Sequence, residues 1–322
     1  MPGKSIVMLL TVVCVRWLSV YSQTETKATT SVAGQGTNQS ASQGAVPPQA
    51  KPPEPLPASA LESLKQKAVA GDIAAQTTLR KRAEQGDASA QLMLGDMYEH
   101  GLGVPKSGPE ALSWYTKAAK KGNAAAQKKL GELYYLGQGV PHDPSESAKW
   151  FRKAAGQGNA SAQLMLGAMY LAGLGVPADV KEALVWYQKA AAQDDEVGMM
   201  QLGHLYESGL KVPKNGAEAL RWYTKAAEKG NIAAELKVGY ILRDGLEAVP
   251  HDYKQALKCF RKAAEQGSGE AEFQIGRMYQ EGLGVVASAD QAAEWYRRAE
   301  QHKFPDAGPA LRNLKKERRP SS

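Results

Sequence analysis

The chain has 322 residues, 43% of them hydrophobic, with a formal net charge of +7 and a pI near 9.1. Length alone would allow two compact domains, and a basic surplus would suit a nucleic-acid partner only if it formed a continuous stripe or patch. In the sequence, Lys117, Lys120 and Lys121 instead alternate with Glu99, Glu110 and Glu132, and the one basic run, Lys315-Lys316-Glu317-Arg318-Arg319, is terminal, so no nucleic-acid partner is expected. Cys14 and Cys259 are the only cysteines, and His100, His142, His204, His251 and His302 are scattered. That pattern excludes an intramolecular disulfide once a leader is removed and gives no metal-ligand spacing, so neither metal nor cofactor is expected.

In chain order, the first segment reads as an export signal over 1–22. Lys4 supplies a charged start, Ile6 to Val15 a ten-residue, largely apolar run, and Val20-Tyr21-Ser22 small residues at −3 and −1 of a cleavage site. Arg16 blurs the end of the apolar run, and an uncleaved anchor is the alternative. The run is shorter than the roughly 20 apolar residues of a membrane-spanning helix. Residues 23–60 are rich in Ser, Thr, Gln, Gly and Ala and then in proline, at Pro47-Pro48, Pro52-Pro53 and Pro55. With almost no large apolar side chain, such a segment cannot offset the entropy of ordering itself and reads as a linker.

From residue 61 to about 316 the chain repeats itself. Leu94-Gly95, Leu130-Gly131, Leu166-Gly167, Leu202-Gly203, Val238-Gly239 and Ile275-Gly276 recur every 36 residues, the interval stretching to 37 after Gly245. Trp114-Tyr115, Trp150-Phe151, Trp186-Tyr187, Trp222-Tyr223, Cys259-Phe260 and Trp295-Tyr296 recur in step. A period of that length predicts a stacked array in which each unit buries its apolar face against its neighbours. Within the copy 88–123, Asp87 caps a first helix that carries Ala90, Leu94, Met97 and Tyr98 at helical spacing and ends near His100. Gly95 costs roughly 1 kcal/mol against alanine in a helix interior, and its return in every copy predicts close approach of another helix. After the break at Gly101-Leu102-Gly103-Val104-Pro105, Ser107 and Glu110 form a capping box for a second helix, echoed by Asp143 with Glu146, Asp179 with Glu182, Asn215 with Glu218, Asp252 with Gln255, and Ser288 with Gln291. Gly122 then supplies a left-handed cap and Asn123 starts the next copy; Asp194-Asp195 breaks this junction rule and predicts a looser joint. Copies are expected at 88–123, 124–159, 160–195, 196–231, 232–268 and 269–304. Half-copies at Lys65–Asp72 and Arg80–Asp87 predict a capping helix pair, Pro309–Lys316 a closing helix, and 317–322 a basic tail.

The strings Ala-x-Ala-Gln-x-x-Leu-Gly-x-x-Tyr, Gly-x-Gly-Val and Ala-x-x-Trp-Tyr-x-Lys-Ala-Ala-x-x-Gly-Asn, read over Ala88 to Asn123, resemble the Sel1-like repeats, relatives of the tetratricopeptide repeats. The fourth copy departs from the pattern at Met199 and Lys211, the fifth at Leu242 and Cys259. The resemblance implies an all-α, α/α superhelical solenoid that presents a groove to another protein, often in bacterial envelope, signalling, motility or host-interaction systems. A cysteine-rich branch of the family is linked to β-lactam binding or hydrolysis, but it carries paired cysteines in each repeat, which this chain lacks.

Comparing the copies with one another separates constant positions, which serve the stack, from variable ones. On the first helix of each copy the variable positions share one face at i, i+3 and i+7. These are Met93, Asp96 and His100; Lys129, Glu132 and Leu136; Met165, Ala168 and Ala172; Gln201, His204 and Ser208; Lys237, Tyr240 and Asp244; and Gln274, Arg277 and Glu281. Their simplest meaning is a solvated surface. Their functional meaning is a concave groove, apolar at Leu136, Met165, Ala168 and Ala172 and polar toward both ends. No nucleophile, acid–base pair or metal set is gathered, so an enzyme is not expected. The expected protein is a monomeric, non-enzymatic adaptor of the periplasm or secreted space that binds a protein partner. A factor that contacts glycan or peptidoglycan is the alternative, and a β-lactam-binding or hydrolysing enzyme a remote one.

Overall fold

A computed structural model describes residues 56–317, and these fold as an all-α superhelical solenoid of fifteen helices. The expected leader, nearly all of the linker, and residues 318–322 lie outside the described residues. The cap pair is α1 (Ala58–Val69) and α2 (Ile73–Glu84). Six pairs follow: α3 (Ala88–His100) with α4 (Gly108–Lys120), α5 (Ala124–Leu136) with α6 (Pro144–Gly156), and α7 (Ala160–Ala172) with α8 (Val180–Ala191). The series continues with α9 (Glu196–Ser208) and α10 (Gly216–Glu228), α11 (Ile232–Asp244) and α12 (Tyr253–Glu265), and α13 (Gly269–Glu281) and α14 (Ala289–Gln301), and α15 (Ala307–Glu317) closes the array. Every helix packs on the one before and the one after. The odd-numbered helices from α3 to α13, here the A helices, therefore form one layer and the even-numbered B helices the other. The first helix begins at Ala58, inside the expected linker, because the Pro57 carbonyl accepts from the Ala60 and Leu61 amides and opens the turn.

The caps follow the residue types. Asp143 accepts from the Ser145 and Glu146 amides, Asp179 from Lys181 and Glu182, and Asn215, Asp252 and Ser288 each from the amide three residues on. The first box differs, since Ser107 makes no bond to a backbone amide and instead donates its hydroxyl to the Glu110 carboxylate. The one-residue insertion in the fifth copy is absorbed by a small closed loop in which the Leu246 and Val249 amides donate to each other's carbonyls at 3.2 and 2.9 Å.

The mid-helix glycines seat an aromatic ring. A Cβ on Gly95 would lie 2.5 Å from the Tyr115 ring, and on Gly131, Gly167, Gly203, Gly239 and Gly276 it would lie 2.6–2.8 Å from Phe151, Tyr187, Tyr223, Phe260 and Tyr296. Each of these rings is at most 2% exposed, so the glycine lets the A and B helices of one copy close over it. The preceding tryptophan packs toward the earlier copy: Trp150 joins Ala111, Tyr115, Ala118 and Leu130 in one cluster. It serves as apolar mass, since the Nε1 atoms of Trp150, Trp186 and Trp222 are buried without a hydrogen-bond partner.

The joint at Asp194-Asp195 keeps the geometry of the others. Asp194 takes the left-handed conformation (φ 64°) that Gly122, Gly158, Gly230 and Gly267 adopt at the equivalent places, and Asp195 still caps α9 through the Gly198 amide at 2.8 Å. Asp194 also meets Lys229 at 2.9 Å, so the joint is strained in one residue rather than loosened.

Candidate protein-binding face

The free side of the A helices is organised by rungs that link one copy to the next across thirty residues. In the first, the Lys129 ammonium on α5 lies 3.0 Å from Glu99 on α3, and the Tyr115 hydroxyl on α4 donates to Glu99 and, at 2.8 Å, to Asp96. The same triad returns three copies later, where Lys237 donates to Glu207 at 2.9 Å and the Tyr223 hydroxyl donates to Glu207 at 2.6 Å. Burial pushes the Glu207 carboxyl up, but the nearby His204 imidazole and hydrogen bonds from Tyr223 and Lys237 outweigh it and hold the group at about 2. Glu99 is shifted the same way: burial opposes the shift, and Lys129 and Tyr115 carry it. Both phenols are held well above their ordinary value by burial and by the adjacent carboxylates. These protons stay on the tyrosines, and the acids stay ionised.

Between the two triads the rung positions carry no charge. Tyr135 and Leu171 stand where Glu99 and Glu207 do, and Met165 and Gln201 stand in the place of the lysines. Leu136 is 39% exposed and Ala168 and Ala172 are half-buried, which leaves an apolar window between two charged rungs, with the Lys211 ammonium 2.7 Å from the Leu171 carbonyl at its edge. Beyond the second triad the chemistry reverses: Arg243 grips Asp244 with two bonds at 2.6 and 2.7 Å and also reaches Gln274 on α13. Tyr240 donates to Glu270 there, and Arg277 pairs with Glu281 at 2.9 Å.

The residues expected to line a groove thus divide. Leu136 and Ala168 sit at the window, and His100, with Nδ1 2.9 Å from the Asp96 carbonyl, and His204, 3.9 Å from Glu207, are exposed. Asp96, Lys129, Lys237, Tyr240 and Arg277 are tied into the rungs and pairs just described, and Glu132 pairs with Lys128 at 3.3 Å. Gln201 is half-buried, and Met93 is half-buried against the first core cluster. Met165 has to be corrected: at 6% exposure it belongs to the packed layer, because the A helix of the third copy is apolar nearly all round and turns that face into its neighbours. The rung acids Glu99 and Glu207 were missed by the i, i+3, i+7 reading. A signal for them was present: an acid in one copy stands thirty residues before a lysine in the next, and the copies with Tyr135 or Arg243 at that place carry Phe151 and Phe260 instead of tyrosine. Among the described residues no group of three or more His, Cys, Asp or Glu side chains is placed to hold a metal ion, and no helix is long and apolar enough to cross a membrane.

An array of this period, with glycine-seated aromatics and capped helix pairs, is a repeat scaffold. Residues 88–123, 124–159, 160–195, 197–231, 232–268 and 269–302 each match the Sel1 repeat, and the chain belongs to the Sel1 repeat family. Among solved structures it is similar to a protective antigen present in uropathogenic Escherichia coli strains that displays an SLR fold, with 37% identity and a TM-score of 0.69 over 80% of this chain. The match spans 60% of that chain, so this protein corresponds to part of it. It is also similar to a Sel1 repeat protein from Oxalobacter formigenes, with 32% identity and a TM-score of 0.58 over 74% of this chain and 96% of that one. No curated protein matches. Sel1 repeat proteins generally mediate protein–protein interactions and are generally not enzymes.

Proposed function

We propose that the A-helix side forms a concave groove that holds a segment of a partner protein, with the contact centred on the second to fourth copies. The observation that carries this reading is the apolar window at Leu136, Ala168 and Ala172, bounded by the rungs Glu99–Lys129 and Glu207–Lys237. A binding surface concentrates its energy in a desolvated apolar centre and uses charged groups at the rim for orientation. The rungs suit that rim: their charges are fixed by hydrogen bonds before any partner arrives, so little ordering remains to be done on binding. The apolar start of the sequence supports action outside the cytoplasm, in the periplasm or secreted space, and the relative described as a protective antigen supports the same setting.

The test is affinity capture from the native cell envelope with wild type and with Leu136→Asp, Ala172→Asp. Charging two window positions should weaken capture of the partner at least about tenfold, as truncation of central anchors does, while the helical circular dichroism is unchanged. A double variant that captures the same partner at full strength overturns the groove. A mature protein that retains Met1 in the cytosol overturns the setting but not the groove.

A further inference from the structure

The opposite side of the array carries a second ordered set of charges. At one register of the B helices stand Lys117, Lys153, Lys189, Lys225, Lys262 and Arg298, one cation per copy. Five lie over the indole three residues earlier in the same helix: the ammoniums of Lys117, Lys153, Lys189 and Lys225 are 3.9, 4.0, 4.0 and 4.5 Å from the ring centroids of Trp114, Trp150, Trp186 and Trp222, and the Arg298 guanidinium is 4.6 Å from that of Trp295. The contact has a structural role, since a cation over an indole face is attracted by the ring quadrupole. It also pins each ammonium at a fixed height on the outer surface. Among the described residues none of these four lysines makes an ion pair, whereas Arg298 pairs with Glu294 at 3.0 Å and on the A-helix side Lys129, Lys237, Arg243 and Arg277 all pair. Exposed Lys258 widens the strip, and Val185, 41% exposed, lies within it one turn before Lys189. Glu110, Glu146, Glu182 and Glu218 stand two turns nearer the start of each helix, and Glu228 and Glu265 one turn past the cation in the fourth and fifth copies, so the basic strip has acidic margins.

We propose that this strip docks the protein on an anionic, phosphate-bearing lipid surface, which leaves the A-helix side facing away and open to a partner. A sparse row of one cation per copy, pinned in five of the six copies, suits an acceptor whose charges can move to meet it, as headgroups do in the plane of a bilayer. A nucleic-acid duplex presents a fixed charge about every 1.7 Å along its axis, far denser than the row. A single strand needs exposed aromatic faces on which to stack, and here the indole faces are covered by the lysines. Each unpaired lysine near an anionic lipid surface is worth about a fivefold gain in binding, and the pinning lowers the ordering needed at contact.

The test uses the purified chain and flotation with vesicles of phosphatidylcholine, alone or mixed with phosphatidylglycerol. Binding should require phosphatidylglycerol and weaken steadily as salt is added, because exposed charges are screened beyond about 8 Å at physiological ionic strength. Reversing Lys153, Lys189 and Lys225 to glutamate should weaken it by about a hundredfold or more, whereas reversing Lys106, Lys214 and Lys303, which lie in connecting loops, should change it only slightly. If the glutamate triple does not fold, Lys153→Gln, Lys189→Gln, Lys225→Gln takes its place. Leu136→Asp, Ala172→Asp should bind vesicles normally, which separates this surface from the groove. Equal binding to both vesicle types, full binding by the folded triple, equal loss in the loop control, or retention of RNA without vesicles overturns the proposal.

Discussion

The first three copies and the last three share one backbone plan but join their helices with different buried side chains. In the first half, Gln91, Gln127 and Gln163 donate to the Ala83, Ala119 and Ala155 carbonyls of the preceding helix at 2.8, 3.1 and 3.1 Å. Gln127 and Gln163 also accept from Gln157 and Gln193, so each amide uses both of its ends. In the second half Met199, Glu235 and Glu272 occupy the same place. Glu235 accepts from Gln266 at 2.9 Å and Glu272 meets His302 at 2.7 Å, but an ionised carboxylate has nothing to donate to a helix-end carbonyl. Burial pushes the Glu235 carboxyl above its ordinary value, against the pull of Lys262 and Gln266. One half of the array is therefore stitched by neutral amides, and the other has a methionine and two carboxylates in their place.

The largest effect that sharpens this contrast should come from the tryptophan position. Trp150→Ala should cost about 3–5 kcal/mol and split denaturant unfolding into separate phases, whereas Cys259→Ala should cost about 1 kcal/mol, because the fifth copy already lacks the indole. Equal losses, read from the transitions, would mean that the two halves share a single cooperative unit with the same packing.

Exchanging the buried joints comes next. Gln163→Glu should cost about 1–3 kcal/mol at neutral pH by burying an ionised group that cannot donate, and thermal melts should show recovery on acidification. Glu235→Gln should gain about 1 kcal/mol at neutral pH by restoring the missing donor. The folded-state value of Glu235 is raised above 4.5, so protonation favours the fold: its contribution is full below 4.5 and lost as pH rises through the raised value. The advantage of the glutamine variant should therefore vanish in acid. An advantage that persists there would show that the carboxyl was never penalised.

The rung at Glu207 has the opposite sign. Its folded value of about 2 lies below 4.5, so its contribution is present above 4.5 and lost as pH falls toward 2. Melting of the wild type should fall over that window more steeply than melting of Glu207→Gln, and parallel curves would remove the rung from the account of stability. The smallest change expected is at the joint between the halves. Asp194→Gly relieves a left-handed aspartate and gives up only an exposed pair with Lys229, for a net gain of about 0.5 kcal/mol, measurable as a small rise in melting temperature.

The fold was legible in the sequence because it rests on residues that recur for one reason each. Gly95 and its equivalents announce a close approach, and the Asp143-type caps announce helix starts. What was not legible was which face of an A helix is open. The i, i+3, i+7 pattern identifies a side of a helix but not how far the neighbouring copies close over it, so it placed Met165 on the surface and passed over Glu99 and Glu207. Those acids sit at the edge between helix layers, where what matters is the partner thirty residues away rather than helical periodicity. The glutamine joints were equally hidden, since a buried amide and a solvated one look alike until the carbonyl it meets is known.

The thirty-residue reach of the rungs bears on how such a chain can change its length. Since each bond runs only from one copy to the next, a whole unit can be duplicated or lost and the ends of the cut will find partners of the type they left. The span offered to a bound segment can then be adjusted in steps of one repeat by unequal recombination, with no new contact to be invented, while point substitutions at the rungs decide which steps are charged and which are neutral.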